Sequence, residues 1–180
     1  MDKIKVKDRE FVVSIPHDKI LEEVGRLAKE INIDLDGKNP LFLCVLNGSF
    51  IFAADLMKKI NIDCTISFIK LASYQGTTST GEVKTLIGLD GDIQGREIVV
   101  IEDIVDTGNT IESLVNQLQG LQAGNIHVAT LLFKPDAYKK NIPIKYKAIE
   151  VPNDFLIGYG LDYDGYGRNL EHIYTINEDQ

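Results

Sequence analysis

Short apolar runs alternate with amphipathic stretches along most of the chain. Leu41–Leu46, residues 98–101 and Ile126–Phe133 are nearly unbroken apolar runs of strand length. Such runs predict strands buried on both faces, as in a parallel sheet covered by helices. Further strands are expected at 11–15, 63–71, 83–88, 146–151, 155–159 and 173–176. Three stretches carry helical spacing instead. Ile20, Leu21, Val24, Leu27, Ala28 and Ile31 follow an opening at Pro16 to Asp18. Phe52, Ala53, Leu56, Met57 and Ile60 lie in a helix expected over 50–60. Ile111, Leu114, Val115, Leu118 and Leu121 lie in one expected over 110–122. Strand, polar turn, helix is thus repeated, which predicts an α/β fold with a mostly parallel central sheet flanked by helices.

The stretch from Glu97 to Thr110 changes this from an architecture to a site. An apolar strand ends in Glu102 and Asp103. Asp106 follows, then Thr107-Gly108-Asn109-Thr110 opens a helix. An acidic turn is expected over 102–106. Backbone N–H groups and hydroxyls at a helix N-terminus form a ready anion site. Adjacent carboxylates can meet ribose hydroxyls or a hard cation. The pattern lacks the Gly-x-x-x-x-Gly-Lys-Ser/Thr of nucleotide-binding P-loops and the Gly-x-Gly-x-x-Gly of dinucleotide folds. A phosphorylated sugar suits it better.

Glu102-Asp103-Ile104-Val105-Asp106-Thr107-Gly108-Asn109-Thr110 resembles the phosphoribosyl-pyrophosphate motif of the type I phosphoribosyltransferases. Its Glu-Asp-Ile-Val-Asp-Thr-Gly form is similar to the 6-oxopurine branch, the hypoxanthine-guanine phosphoribosyltransferases. The resemblance implies one domain over 1–180, with a core over about 36–150 and a small hood from about 1–16 and 151–180. It also implies Mg²⁺-dependent transfer of 5-phosphoribosyl from phosphoribosyl pyrophosphate to N9 of hypoxanthine and/or guanine, giving IMP or GMP and pyrophosphate.

Residue roles follow from the same resemblance. Residues Glu102, Asp103, Ile104, Val105, Asp106, Thr107, Gly108, Asn109 and Thr110 would hold the phosphoribosyl group. Asp106 would take the proton from purine N7. Glu102, Asp103 and Asp162 would serve Mg²⁺. Leu46, Asn47, Gly48 and Arg168 would meet pyrophosphate, with a non-proline cis peptide expected at Leu46–Asn47. The family commonly has Lys or Arg where this chain has Asn47, so one positive charge is missing. Ser73 and Tyr74, in a Ser-, Thr- and Gly-rich segment, would close as a lid that keeps water from the ribosyl centre. Lys134 would donate to purine O6, Phe155 would stack on the base, and the backbone carbonyls of Leu156 and Asp162 would accept from its edge.

Composition limits the alternatives. With 180 residues the chain can bury a sizeable core. A formal net charge of -8 disfavours a nucleic-acid partner, and no run is long and apolar enough to span a membrane. Cys44 and Cys64 have no metal-ligand spacing and read as buried free thiols of a cytoplasmic protein. His17, His127 and His172 read as structural or exposed. Tyr138, Lys139 and Lys140 read as solvated loop, and Glu22, Glu23, Arg26, Lys29 and Glu30 as a solvated helix face. The family is usually dimeric or tetrameric, so a homodimer or homotetramer is expected. The competing readings are a nucleotide-sensing regulator on the same fold, and a sister transferase for another base.

Overall fold

The chain was analysed as a computed structural model that describes residues 3–72, 84–87 and 92–177. In order it forms β1 (Lys3–Val6), β2 (Arg9–Ile15), α1 (His17–Asp34), β3 (Leu41–Leu46), α2 (Phe50–Met57), β4 (Thr65–Ala72) and β5 (Lys84–Ile87). Then come β6 (Ile98–Val105), α3 (Asn109–Gly120), β7 (Ile126–Phe133), β8 (Tyr146–Glu150), β9 (Leu156–Ile157) and β10 (Ile173–Ile176).

The larger sheet has the order β5-β4-β3-β6-β7-β8. All neighbours are parallel except the β4–β5 pair at one edge. The expected mostly parallel α/β fold is therefore present. Alternation along the strands divides the core in two. Phe42, Cys44, Val99, Ile101 and Ala129 pack under Val24, Leu27 and Ile31 of α1 and Phe52 and Leu56 of α2. Leu41, Leu43, Val45, Ile98, Val100 and Val128 pack under Ile111, Leu114 and Leu118 of α3. Burying both faces is why these strands read as unbroken apolar runs. Each fully buried Leu or Ile contributes about 1.5–3 kcal/mol to holding the layers together.

The strand order creates the crevice. β3 continues through α2 to β4 on one side, whereas β6 continues through α3 to β7 on the other. Ligands of open α/β sheets bind where the order reverses, outside the carboxyl ends of the strands. Here that place lies between Leu46, the last residue of β3, and Val105, the last of β6.

A second sheet, β1-β2-β10-β9, is antiparallel and caps this edge. Its own small core is Phe11, Ile157 and Tyr174. It is bound to the larger layer by part-buried hydrogen bonds. The Tyr159 hydroxyl donates to Asp55 Oδ2 at 2.6 Å, and the His17 amide donates to His172 Nδ1 at 3.0 Å. At Gly160, with φ +106°, a β-carbon would overlap the Gly48 carbonyl oxygen. Only a glycine lets the two backbones come this close.

Several elements differ from their expected form. β6 does not end before the acids: it runs through Glu102 and Asp103 to Val105, with Glu102, Ile104 and Val105 paired to Thr130, Leu132 and Phe133 of β7, and the turn begins after Val105. Parallel pairing on β7 outweighs the polarity of the two carboxylates. β9 stops at Ile157 because Gly158, Tyr159 and Gly160 take φ values of +97°, +48° and +106°. β1 was not expected, because Lys-Ile-Lys-Val is short and half polar; its hairpin partner β2 stabilises it. Cys44 is buried, and burial pushes its thiol up to about 12, but Cys64 is only half-buried. Both thiols are free. Arg26 is not simply solvated: it donates to the carbonyls of Lys147 and Ala148 and so ties α1 to β8.

Candidate active site

The turn expected to hold the phosphate runs from Thr107 to Thr110. Gly108 caps α3 with φ +86°, and Glu112 N–H donates to its carbonyl at 2.9 Å. No side chain caps the helix, so the N–H groups of its first turn face outward beside the exposed Thr107, Asn109 and Thr110. The N-terminus of a 12-residue helix without a side-chain cap has the N–H groups and dipole that favour an anion.

The turn is held from behind by residues that sequence reasoning read as solvent-facing. A β-carbon on Gly108 would lie 2.5 Å from Tyr138 Cε2 and 2.8 Å from Lys140 Cγ. Tyr138 is half-buried, donates to the Ile142 carbonyl and packs edge-on against Phe133 at 5.3 Å. Lys139 N–H donates to the Thr107 carbonyl at 3.3 Å. Lys140 Nζ meets Glu112 Oε2 at 2.7 Å, which balances the one acid in the first turn of α3. Apolar spacing could not show this, because the strap follows Lys134-Pro135 as an irregular segment.

On the other side of the crevice the Leu46–Asn47 peptide is cis, at the bond where it was expected. Ser49 is fully buried and donates to the Val45 carbonyl at 2.6 Å, fixing the entry into α2. Gly48 faces the acids directly: a β-carbon there would overlap Asp103 Oδ2. The loop after β3 and the end of β6 are thus in contact through a glycine backbone and a carboxylate.

The two adjacent acids are not equivalent. Consecutive strand residues point to opposite faces. Asp103 lines the cavity described below, and Glu102 is buried, with no hydrogen-bond partner for Oε2 among the described residues. Burial, and then the Asp103 charge, hold Glu102 well above the usual carboxylate range. Burial also raises Asp103; the Ile104 N–H, its own N–H and Arg168 pull it down, and Asp162 pushes it up. The orphaned Glu102 oxygen and, on the other face of the strand, the desolvated Asp103 carboxyl are each hard oxygen donors of the type a divalent cation takes. Among the described residues, no three His, Cys, Asp or Glu side chains gather closely enough to hold a metal by themselves. Magnesium, which keeps several waters and takes one or two carboxylates, matches that arrangement.

A cavity of about 280 Å³ opens at the carboxyl ends of β6 and β7 under the smaller sheet. It is lined by Asp103, Ile104, Asp106, Lys134, Asp154, Phe155, Leu156, Leu161 and Asp162. Lys134 is nine-tenths buried and its Nζ lies 3.4 Å from Asp106 Oδ2, whereas the Asp106 side chain is half exposed. Phe155 presents an exposed ring. Asp162 is already engaged: Oδ1 pairs with Arg168 at 2.6 Å, and Oδ2 accepts the Gly165 N–H at 2.6 Å. Arg168 also donates to the Gly160 carbonyl at 2.6 Å.

Of the expected site residues, Asp103, Ile104, Asp106, Lys134, Phe155, Leu156 and Asp162 share this cavity. Gly48 adjoins it through Asp103, and Arg168 through Asp162. Glu102, Val105, Thr107, Gly108, Asn109, Thr110, Leu46 and Asn47 do not line it. Ser73 and Tyr74, expected as a lid, lie outside the described residues. Asp154 and Leu161 line the cavity but were not singled out; Asp154 stands beside Phe155, which was the available signal.

The phosphoribosyl transferase domain family matches residues 16–164, and the chain belongs to that family. Among its relatives, the hypoxanthine-guanine phosphoribosyltransferase of Streptococcus mutans serotype c is 40% identical over 163 residues, covering 90% of this chain and 91% of that one. Two solved structures are also similar. A hypoxanthine-guanine phosphoribosyltransferase from Bacillus anthracis matches with a TM-score of 0.85 and 36% identity, covering 92% of this chain and 96% of that one. A hypoxanthine phosphoribosyltransferase from Staphylococcus aureus matches with a TM-score of 0.87 and 35% identity, over 92% and 91% of the two chains.

Proposed function

We propose that this protein is a purine-salvage enzyme that transfers 5-phosphoribosyl from phosphoribosyl pyrophosphate to N9 of hypoxanthine and/or guanine. The products are IMP or GMP and pyrophosphate. One observation carries the reading: a single cavity joins Lys134, Asp106 and Phe155 beside the uncapped N-terminus of α3. That combines a donor, a proton acceptor and an aromatic wall with a phosphate site.

The 5-phosphate would sit on the N–H groups and hydroxyls of Thr107 to Thr110. Glu102 and Asp103 would hold the ribose hydroxyls and serve Mg²⁺, with Asp162 at a second position. When bound, Mg²⁺ supplies charge neutralisation to the pyrophosphate oxygens. Purine N9 would attack the anomeric carbon as its bond to pyrophosphate oxygen breaks, and pyrophosphate would leave with the electron pair. Asp106 would take the N7 proton. Lys134 would donate to O6 and disfavour a 6-amino purine, which offers a donor there. Phe155 would stack on the ring, and the carbonyls of Leu156 and Asp162 would accept from its edge. Arg168 would exchange its Asp162 partner for pyrophosphate, with Leu46, Asn47 and Gly48 supplying backbone contacts. Ser73 and Tyr74 would exclude water.

A homodimer or homotetramer fits the surface. Ile66 and Phe68 share one face of β4 and remain 44% and 40% exposed. Uncovered neighbouring apolar residues suit a second copy of the chain. No helix among the described residues is long and apolar enough to cross a membrane. The free thiols fit a cytoplasmic enzyme, and the net charge of -8 disfavours nucleic acid as a partner.

The test is product analysis. Purified protein with phosphoribosyl pyrophosphate and Mg²⁺, offered hypoxanthine and guanine in parallel, should yield IMP or GMP with pyrophosphate in equal amounts. Consumption of neither substrate contradicts the reading.

A further inference from the structure

Phe155 is weakly packed for a residue that shapes a cavity. Phe155 is 45% exposed and lines the main cavity. It also lines a second cavity of about 250 Å³, with Arg9, Tyr163 and Ile176. Bordering two cavities, the ring has open space beside it in place of close packing to set its angle. What fixes it is an edge-to-face contact with Tyr163, at 5.8 Å and 83° between planes.

Tyr163 is in turn held by the turn between β1 and β2. Its hydroxyl donates to Asp8 Oδ1 at 2.9 Å. Lys7 Nζ and Arg9 Cζ stand 5.7 Å and 5.8 Å from its ring centroid. Lys7 Nζ also lies 5.6 Å from the Tyr166 centroid and pairs with Asp164 at 2.9 Å. The three residues Lys7, Asp8 and Arg9 therefore grip the segment 162–166 at several points. That segment begins with Asp162, whose carboxylate lines the main cavity and accepts from the Gly165 N–H.

We infer that the Lys7-Asp8-Arg9 turn is a clasp that positions the base-binding wall, holding Phe155 in place through Tyr163. The inference rests on the proposed purine-ribosylating function for its kinetic consequence, not for its geometry. The clasp touches neither the phosphate turn nor the acids of β6. It should therefore act on the nucleobase and leave the sugar alone. Each contact is exposed and individually weak, and their shared target makes them count together.

Two readouts decide it. The chain contains no tryptophan, so Phe155→Trp introduces a single reporter at the wall. Adding Lys7→Ala/Arg9→Ala should raise acrylamide quenching of that reporter by about 1.5-fold or more, as lost cation–π contacts release the ring. In the chain with Phe155 intact, Lys7→Ala/Arg9→Ala should raise KM for hypoxanthine by about three- to tenfold while KM for phosphoribosyl pyrophosphate stays within about twofold. Asp8→Ala should act in the same direction, and Asp8→Asn, which keeps an acceptor for the Tyr163 hydroxyl, should restore most of the loss. Unchanged quenching overturns the clasp. So does an unchanged KM for the base, or an equal rise in both KM values, which marks general loosening. A wild-type protein without turnover contradicts the functional reading alone, because the quenching comparison needs no substrate.

Discussion

Lys134 Nζ lies 3.4 Å from Asp106 Oδ2, joining the carboxyl end of β7 to the turn after β6 across the cavity mouth. A buried lysine at a strand end needs an anionic or carbonyl partner. In the proposed reaction a 6-oxopurine provides one, with O6 facing Lys134 and N7 facing Asp106. Lys134→Ala should lower kcat/KM for hypoxanthine by about 10- to 100-fold, the worth of a hydrogen bond from a charged donor. It should also narrow the gap between hypoxanthine and adenine. Steady-state kinetics with both bases checks this; unchanged efficiency and selectivity would make Lys134 a packing residue.

Asp106→Asn keeps the shape of the turn and removes the base. If Asp106 accepts the N7 proton, kcat should fall by about 10²–10⁴-fold, the usual range for general acid–base help. Binding of IMP, measured by calorimetry, should stay close to wild type. An unaltered kcat removes Asp106 from the mechanism.

Gly108 has φ +86° and the Tyr138 ring at its back. Gly108→Ala adds a β-carbon where both backbone angle and space forbid it, at a cost of about 1–3 kcal/mol. KM for phosphoribosyl pyrophosphate should rise more than KM for the base. Tyr138→Ala in the same chain should recover part of that loss by vacating the space. Absence of any recovery would show that the backbone angle alone matters. Gly120→Ala is the control: it sits at the end of α3 with no neighbour within 4 Å of its β-carbon.

Burial and the neighbouring Asp103 raise the Glu102 pKa in the folded chain. The folded state then holds that proton more tightly than the unfolded state. Stability from this group is full below the unfolded value of about 4.3 and falls as pH rises toward the folded value. Thermal unfolding in the presence of a chelator should therefore show this contribution to wild-type Tm being lost as pH rises above the unfolded value. Glu102→Gln should flatten that decline and gain about 1–3 kcal/mol at the upper end, since an uncharged amide avoids burying an unpaired charge. It should also lose most of the stabilisation that Mg²⁺ gives wild type. Parallel profiles for the two proteins would contradict the assignment of Glu102 as a desolvated cation ligand.

Much of the fold was legible because its signals are local. Unbroken apolar runs at 41–46 and 126–133 gave β3 and β7 with their observed bounds, and helical spacing gave α3 to within two residues at either end. The junction from β6 to α3 was legible because two acids, a third acid and Thr-Gly coincide within nine residues. What escaped depends on chain segments far apart in sequence. The extension of β6 through Glu102 and Asp103 is imposed by pairing with β7, which their polarity hides. Tyr138 and Lys140 belong to the site only because the segment after β7 folds back over Gly108. The role of Lys7 to Arg9 needs the contact between the first turn of the chain and residues 162–166. Polar residues in irregular segments carry no period, so spacing cannot assign them.

The central claim is tested most directly by comparing initial rates with hypoxanthine, guanine, xanthine and adenine, each with phosphoribosyl pyrophosphate and Mg²⁺. Ready turnover of hypoxanthine, guanine or both, with adenine slower by about 10²-fold or more, is the predicted result. Consumption of the sugar with none of the four, or preference for adenine, would contradict it.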